Sequence, residues 1–477
     1  MKQSIIIVPR GTMIKIKETY ALIVNNYLIL FPLFAVFFSF LSILWTTNWQ
    51  LGLFRSLKIS ELVLLYFYII HLVTRGTNRK NNNTVILENK LFHVEQLQEE
   101  GQSKKLNITH PHCSTWNNAQ NNIVPRGTIL KTLLQIVISI ATMHSILATL
   151  QIVLQHSIGL FWLKESFISQ ITPGVAKLLI DNNAYIRAYG LFPHPNIFGG
   201  YLTFSIILSM LYLKLFHVEH GNIDNNSVKQ KNPYCSTWNN MRKIFSTIVP
   251  RGTILLNFLI ALQLLGLLLT FSKSAIIGLM TGLFYIKYQS NTTIVPRGTI
   301  TNKIKKILKL FHVEQFRKKI ILSLLILLTT ILLIRPNINS FFLQSLEERN
   351  IYLTISYDII KHDPFIGIGA GQFVNKILET SNILPLWQYQ PVHDVYLLIA
   401  SEYGTPFLLL FIFFMFSLFK KANCSTRNNT KEKAILTHLR GILIAFLFIM
   451  LFDHYFWDIQ QGQLLLWILF GLIAAKK

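Results

Sequence analysis

The sequence predicts an all-α, polytopic membrane fold of about ten transmembrane helices, and up to twelve, with one large extracytoplasmic loop carrying short helices. Three observations predict it. Of the 477 residues 51% are hydrophobic and only 14% are charged, where an average soluble domain is about a quarter charged. Mean hydropathy is +0.42, and apolar runs long enough to cross a bilayer recur along the chain. Basic residues also alternate in density from one connecting segment to the next, as a topology signal does.

Ten spans are expected in order: 27–45, 59–73, 132–154, 196–213, 254–271, 274–288, 320–334, 394–419, 441–456 and 462–475. The first is too long for a signal-peptide core and lacks a small-residue cleavage site, so it is read as a retained anchor. The spans at 59–73 and 274–288 are short and need flanking residues to cross. With the N-terminus inside, 35 of the 45 Lys and Arg fall on inner segments and 10 on outer ones. Acidic residues do not follow that split. The net charge of +24 is therefore a topology determinant, and no nucleic-acid partner is expected. Both termini are assigned to the cytoplasm, segment 335–393 to the outside, and segments 74–131, 214–253, 289–319 and 420–440 to cytoplasmic loops of one integral membrane domain.

Short peptides recur on those inner segments. Val-Pro-Arg-Gly-Thr stands at 8–12, 124–128, 249–253 and 295–299, with a variant at 73–77. Leu-Phe-His-Val-Glu stands at 91–95, 215–219 and 310–314, and Cys-Ser-Thr-Trp-Asn at 113–117 and 235–239, with a variant at 424–428. No regular period relates them, so they do not mark a solenoid or propeller. One palindrome, TGTTCCACGTGGAACA, encodes all three peptides in its three reading frames. The repeats are read as copies of a DNA element scattered through the gene. Cys113, Cys235 and Cys424 all lie inside copies and form neither a disulfide framework nor a zinc site. His93, His217 and His312 are discounted as ligands for the same reason.

Outside the repeats, the informative polar residues gather on the outer side. They are Arg187, His194 and Asn196 in 185–196, Lys273 between two adjacent spans, Arg349 and His393 in the long loop, Asp394 and Glu402 just after it, and Asp453 and His454 at the last outward turn. Ionisable groups at a membrane edge are costly and mark sites by default, although Arg187 and Lys273 also suit simple anchoring by snorkelling. Pro193, Pro195, Gly367, Gly369 and Gly371 read as turn formers. The His-Asp pairs at 362–363 and 393–394 and the Asp-His pair at 453–454 show no two-His helical spacing, so no metal or other cofactor is expected. Three outward cations and a histidine suit an anionic, lipid-borne substrate: guanidinium groups grip diphosphate, and a neutral imidazole takes a proton near neutral pH.

In order along 130–475, four stretches resemble the O-antigen ligase and O-antigen polymerase family of bacterial membrane glycosyltransferases. They are Arg-Ala-Tyr-Gly-x-Phe-Pro-His-Pro-Asn (187–196), Leu-Thr-Phe-Ser-Lys-Ser-Ala (269–275), Arg349 followed by Asp-Pro-Phe-Ile-Gly-Ile-Gly-Ala-Gly-Gln-Phe (363–373), and Val-His-Asp-Val-Tyr-Leu-Leu-Ile-Ala-Ser-Glu-Tyr-Gly (392–404). Two positions depart from the family: Lys273 stands where Arg is usual, and Asp394 where Asn is usual. The resemblance implies metal-independent transfer of a preassembled glycan from a polyprenyl diphosphate carrier, on the outer face of the bacterial cytoplasmic membrane. The acceptor hydroxyl belongs to a lipid-linked sugar in a ligase, to another glycan in a polymerase, or to a protein. It further implies Arg349 and His393 as catalytic, with Lys273, Arg187, His194, Asn196, Asp394, Glu402, Asp453 and His454 binding substrate. A polysaccharide transporter or flippase is the competing class, but the chain shows none of the inverted repeats such proteins carry.

Overall fold

The computed structural model describes residues 10–98, 126–180, 183–223, 251–291, 338–380, 385–421 and 430–475. Helices dominate. Among the described residues four stretches are long and apolar enough to cross a membrane, Asn26–Trp45, Trp49–Val73, Leu130–Leu154 and Pro195–Leu215, and Leu255–Leu269, Thr405–Lys420 and Gln460–Ala474 are shorter apolar helices. The expected span 320–334 and all three cysteines lie outside the described residues.

Helix α1 (Arg10–Ser42) packs on α2 (Trp49–Gln98) across a short turn. The second crossing starts at Trp49, so the span expected at 59–73 gains its missing length on the N-terminal side. α2 also runs on through the repeat copies at 73–77 and 91–95, so segment 74–131 opens as helix rather than loop. α3 (Arg126–Leu154), α4 (Pro195–Ile223) and α5 (Arg251–Leu269) pack on one another. Between α3 and α4 the chain departs from all-α: β1 (Lys177–Ile180) and β2 (Asn183–Ile186) pair antiparallel with Lys177 opposite Ile186.

α6 (Lys273–Asn291) lies against α11 (Thr430–Ile449). The contact is a small-residue seam. A Cβ on Gly282 would stand 2.5 Å from the carbonyl of Gly441, and one on Gly278 would stand 2.7 Å from Ile449. Close backbone approach is what Gly-x-x-x-Gly spacing permits in a bilayer, where packing rather than hydrophobicity joins helices.

Segment 335–393, expected on the outside, carries more than short helices. α7 (Ile338–His362) is 25 residues long and is followed by α8 (Phe373–Thr380). The span expected at 394–419 is two helices, α9 (Val395–Tyr403) and α10 (Thr405–Lys421), broken at Gly404 with φ 85°. The break has a clear partner. Backbone N–H groups of Ile368 and Gly369 donate to the carbonyls of Ser401 and Glu402 at 3.0 and 2.9 Å, and Thr405 N–H donates to Pro364 O at 2.8 Å. Orphan carbonyls at the α9 end are satisfied in this way by the glycine-rich loop. Gly367 and Gly404 allow it: a Cβ on either would fall within 2.5 Å of facing backbone. The glycines therefore do more than turn the chain.

The span expected at 441–456 ends at Ile449. A turn then leads to the single-turn helix α12 (Tyr455–Asp458) and to α13 (Gln460–Ala474). α13 packs on α2, α4, α10 and α11, and the core is filled by Tyr66, Tyr403, Phe414, Phe446, Phe456 and Phe470.

Candidate active site

Segment 155–190 is braced before it delivers its functional residues. The buried carboxylate of Glu165 accepts from the N–H groups of Ile158, Gly159 and Leu160 at 2.6–2.9 Å and from Gln151 at 2.8 Å. Gln151 also exchanges two hydrogen bonds with the backbone of Gly190. The β-hairpin and the bond from Ala188 N–H to Leu269 O then aim Arg187 at the α5–α6 turn.

Arg187 donates from Nε to the carbonyl of Thr270 at 2.7 Å and from Nη2 to Oδ1 of Asn196 at 2.7 Å. Asn196 passes the link on, donating from Nδ2 to Oδ1 of Asp453 at 2.9 Å, and the hydroxyl of Ser274 donates to Oδ2 at 2.7 Å. Burial brings the Arg187 guanidinium down to about 10, with Tyr189 and Asp453 opposing that shift; it stays charged at neutral pH. Burial raises the Asp453 carboxyl, against the donors Ser274 and Asn196. Phe271, in the turn that accepts Arg187, holds a left-handed φ of 49°, a strained conformation for a non-glycine residue.

Three histidines stand beside this network. His194 is half-buried, and its Nδ1 accepts from Asn196 N–H at 3.2 Å; burial, then Arg187 and His454, push it down to about 3. His393 stacks on Tyr352 at 5.9 Å between ring centroids and meets His454 edge to face at 5.0 Å. Burial, then His454, Arg349 and His194, hold His393 well below its ordinary value, against one backbone contact at Pro391. His454 is gripped at Nδ1 by both carboxylate oxygens of Asp458, at 2.8 and 2.9 Å. Burial disfavours its charge, but Asp458 and Asp453 outweigh burial and raise it.

Arg349 projects from α7, which is anchored by a small apolar cluster of Tyr352, Ile359, Phe373, Ile377, Val392 and Leu398. It acts electrostatically on both His393 and Asp453. The fold therefore gathers Arg187, His194, Asn196, Arg349, His393, Asp453 and His454, residues scattered over most of the chain.

The other expected residues are placed differently. Lys273 opens α6 with an exposed side chain, and it is the next residue, Ser274, that reaches Asp453. Asp394 caps α9, accepting from Leu397 N–H at 2.9 Å. That duty needs only an acceptor, so Asp serves where the family has Asn. Glu402 is buried in a second cluster, accepting from Trp457 Nε1 at 3.4 Å near Arg55.

Ser274, Asp458 and Arg55 were not expected at the site. Ser274 and Asp458 sit inside stretches that sequence had singled out, but neither residue type stands out there. Arg55 had one available signal, a cation in the short segment expected between the first two spans. It donates from Nη1 to the carbonyl of Asp458 at 2.9 Å. Among the described residues, no group of three or more His, Cys, Asp or Glu is placed to hold a metal ion.

Residues 258–412 match the family model described as O-Antigen ligase. Among curated proteins, none matches the chain. The matched stretch includes Lys273, Arg349, His393, Asp394 and Glu402. Arg187, His194, Asn196, Asp453 and His454 lie outside it and reach the same site through the fold. The match supports assignment to the O-antigen ligase family, and with it a membrane protein of glycosyltransferase-like activity.

Proposed function

We propose, on that assignment, that the chain transfers a preassembled glycan from a polyprenyl diphosphate carrier to an acceptor hydroxyl, as a ligase of surface polysaccharide biosynthesis. The observation that carries the reading is the setting of Arg349 and Arg187 around a histidine cluster, in a site bounded by helix ends. Fixed cations pointed at a diphosphate stabilise the charge that builds as it leaves. Arg187 is already oriented by Thr270 and Asn196 and needs no reorganisation. Lys273, exposed at the start of α6, adds a point charge at the rim.

In this mechanism the acceptor oxygen attacks the anomeric carbon while the bond to the diphosphate oxygen breaks, and the lipid diphosphate departs as an anion. His393, half-buried and neutral, contacts the acceptor hydroxyl, to orient it or take its proton. The site faces the outer side of the cytoplasmic membrane, a reading supported by the partition of basic residues. Donor and acceptor are both lipid-borne or glycan in character.

Fractionating surface glycans from a strain lacking the gene tests the proposal. Full-length chains retained on the polyprenyl carrier are the result expected of a ligase. Single unpolymerised repeats would reassign the chain as a polymerase, and glycan trapped on the cytoplasmic face would make it a flippase.

A further inference from the structure

The two histidines at the centre of the site are not equivalent. Asp458 takes Nδ1 of His454, which leaves Nε2 as the lone-pair nitrogen. The pair spans one turn of α12, closed by Trp457 N–H to His454 O at 2.8 Å, and Arg55 on α2 fastens the carbonyl of Asp458 from a different helix. A carboxylate behind an imidazole fixes its tautomer and compensates the imidazolium that forms, the arrangement of a general base. His393 lacks that support. No carboxylate backs it: among the described residues its buried Nδ1 has no hydrogen-bond partner, and around it stand the Pro391 backbone, Tyr352, His454, His194 and Arg349.

We infer that the proton released by the acceptor hydroxyl passes to the His454–Asp458 dyad, while His393 remains neutral and orients the hydroxyl. This rests on the glycosyl-transfer reading above. The acceptor O–H bond breaks and the oxygen's lone pair forms the new bond to the anomeric carbon. The anomeric C–O electron pair leaves with the diphosphate, and the proton sits on Nε2 of His454 until solvent removes it. The electrostatics run the same way. A proton on His454 is favoured by Asp458 and Asp453 and opposed by burial and Arg55, whereas on His393 it meets burial, His454, Arg349 and His194, with only a backbone interaction at Pro391 in its favour. Two titratable groups whose surroundings push them apart divide acid–base roles in this manner.

Asp458 is the positioning residue of the pair, and pH profiles separate it from a merely structural one. The assay uses membrane vesicles from a strain lacking the chromosomal gene, which retain its polyprenyl-diphosphate-linked glycan, with each full-length variant supplied. Initial consumption of that glycan is followed from pH 5.5 to 8.5, a range set by the ordinary histidine value of about 6.5. His454→Gln should lose roughly 10²- to 10⁴-fold in rate together with the acid limb of the profile. Asp458→Asn should move that limb to lower pH, and Asp458→Glu should restore part of the rate. His393→Gln should be slow but keep the limb where wild type has it. A limb that persists in His454→Gln and vanishes in His393→Gln overturns the inference, as does a wild-type rate in His454→Gln.

Should wild type consume no lipid-linked glycan, the glycosyl-transfer reading fails instead. The dyad is then read from thermal stability of the detergent-purified protein. The stability that Asp458 gives through His454 is present below about pH 6.5 and disappears as pH rises through the raised value in the folded protein. The gap between wild type and Asp458→Asn should therefore shrink with rising pH, and a gap flat across the range overturns the pairing.

Discussion

Arg187 and Asp453, far apart in the sequence, are joined through Asn196, which accepts from the guanidinium at 2.7 Å and donates to the carboxylate at 2.9 Å. Asn can do this because its amide carries an acceptor and a donor side by side. Asn196→Leu should therefore leave a half-buried cation and a buried carboxyl each short of a hydrogen-bond partner, at a cost of about 1–3 kcal/mol. Thermal inactivation in detergent measures it; Asn196→Gln, longer but chemically alike, should lose less. Equal stability of Asn196→Leu and wild type would remove the bridge from the account.

Arg349→Ala and His393→Ala should each abolish transfer while the protein still accumulates in the membrane. A buried charge-assisted contact to a diphosphate contributes about 2–4 kcal/mol to a transition state, roughly 30- to 1000-fold in rate. Complementation of a deletion strain, with membrane abundance checked by immunoblot, reads both. Wild-type transfer by Arg349→Ala would sink the assignment of the site.

Lys273 gives a finer test. Arg at this position restores the family's residue and a forked donor, so Lys273→Arg should be neutral or faster. Lys273→Ala should lose most transfer. Because Lys273 is exposed, neither change should shift the melting temperature, and a large shift would show that the side chain braces the fold instead.

Acid should destabilise the protein before it affects most carboxylates. His194 is held at about 3, and His393 well below its ordinary value, both chiefly by burial. The unfolded chain binds protons on these two residues near pH 6.5 while the folded chain does not, so stability falls as pH drops below that value, with His454, which is raised, opposing them. Melting curves from pH 7.5 to 4.5 should show this decline, and His194→Asn should flatten it. A profile unchanged in His194→Asn would assign the acid sensitivity elsewhere.

Topology can be checked without any activity. A tag at either terminus or within 214–252 should be reachable only from the cytoplasm, and one within 376–384 only from outside. The basis is the 35-to-10 division of basic residues. Cysteine labelling that placed 376–384 inside would overturn both the orientation and the location of the site.

Sequence by itself determined that this is a helical membrane protein and roughly where most of its helices run. Those properties are local: hydropathy over a window and the length of each apolar run. Tertiary structure decided what depends on partners far along the chain. Gly404 breaks an apolar run that reads as one span because Ile368 and Gly369 arrive to satisfy the carbonyls of Ser401 and Glu402. Asp394 turned out to cap a helix. Ser274, Asp458 and Arg55 gained their places only through contacts with Asp453, His454 and one another's turns. The difference between His393 and His454 is likewise invisible in sequence, since each is a histidine next to an aspartate. A side chain's charge state follows from what surrounds it in space: one helical turn brings Asp458 to one ring, and only the tertiary fold brings Arg349 to the other.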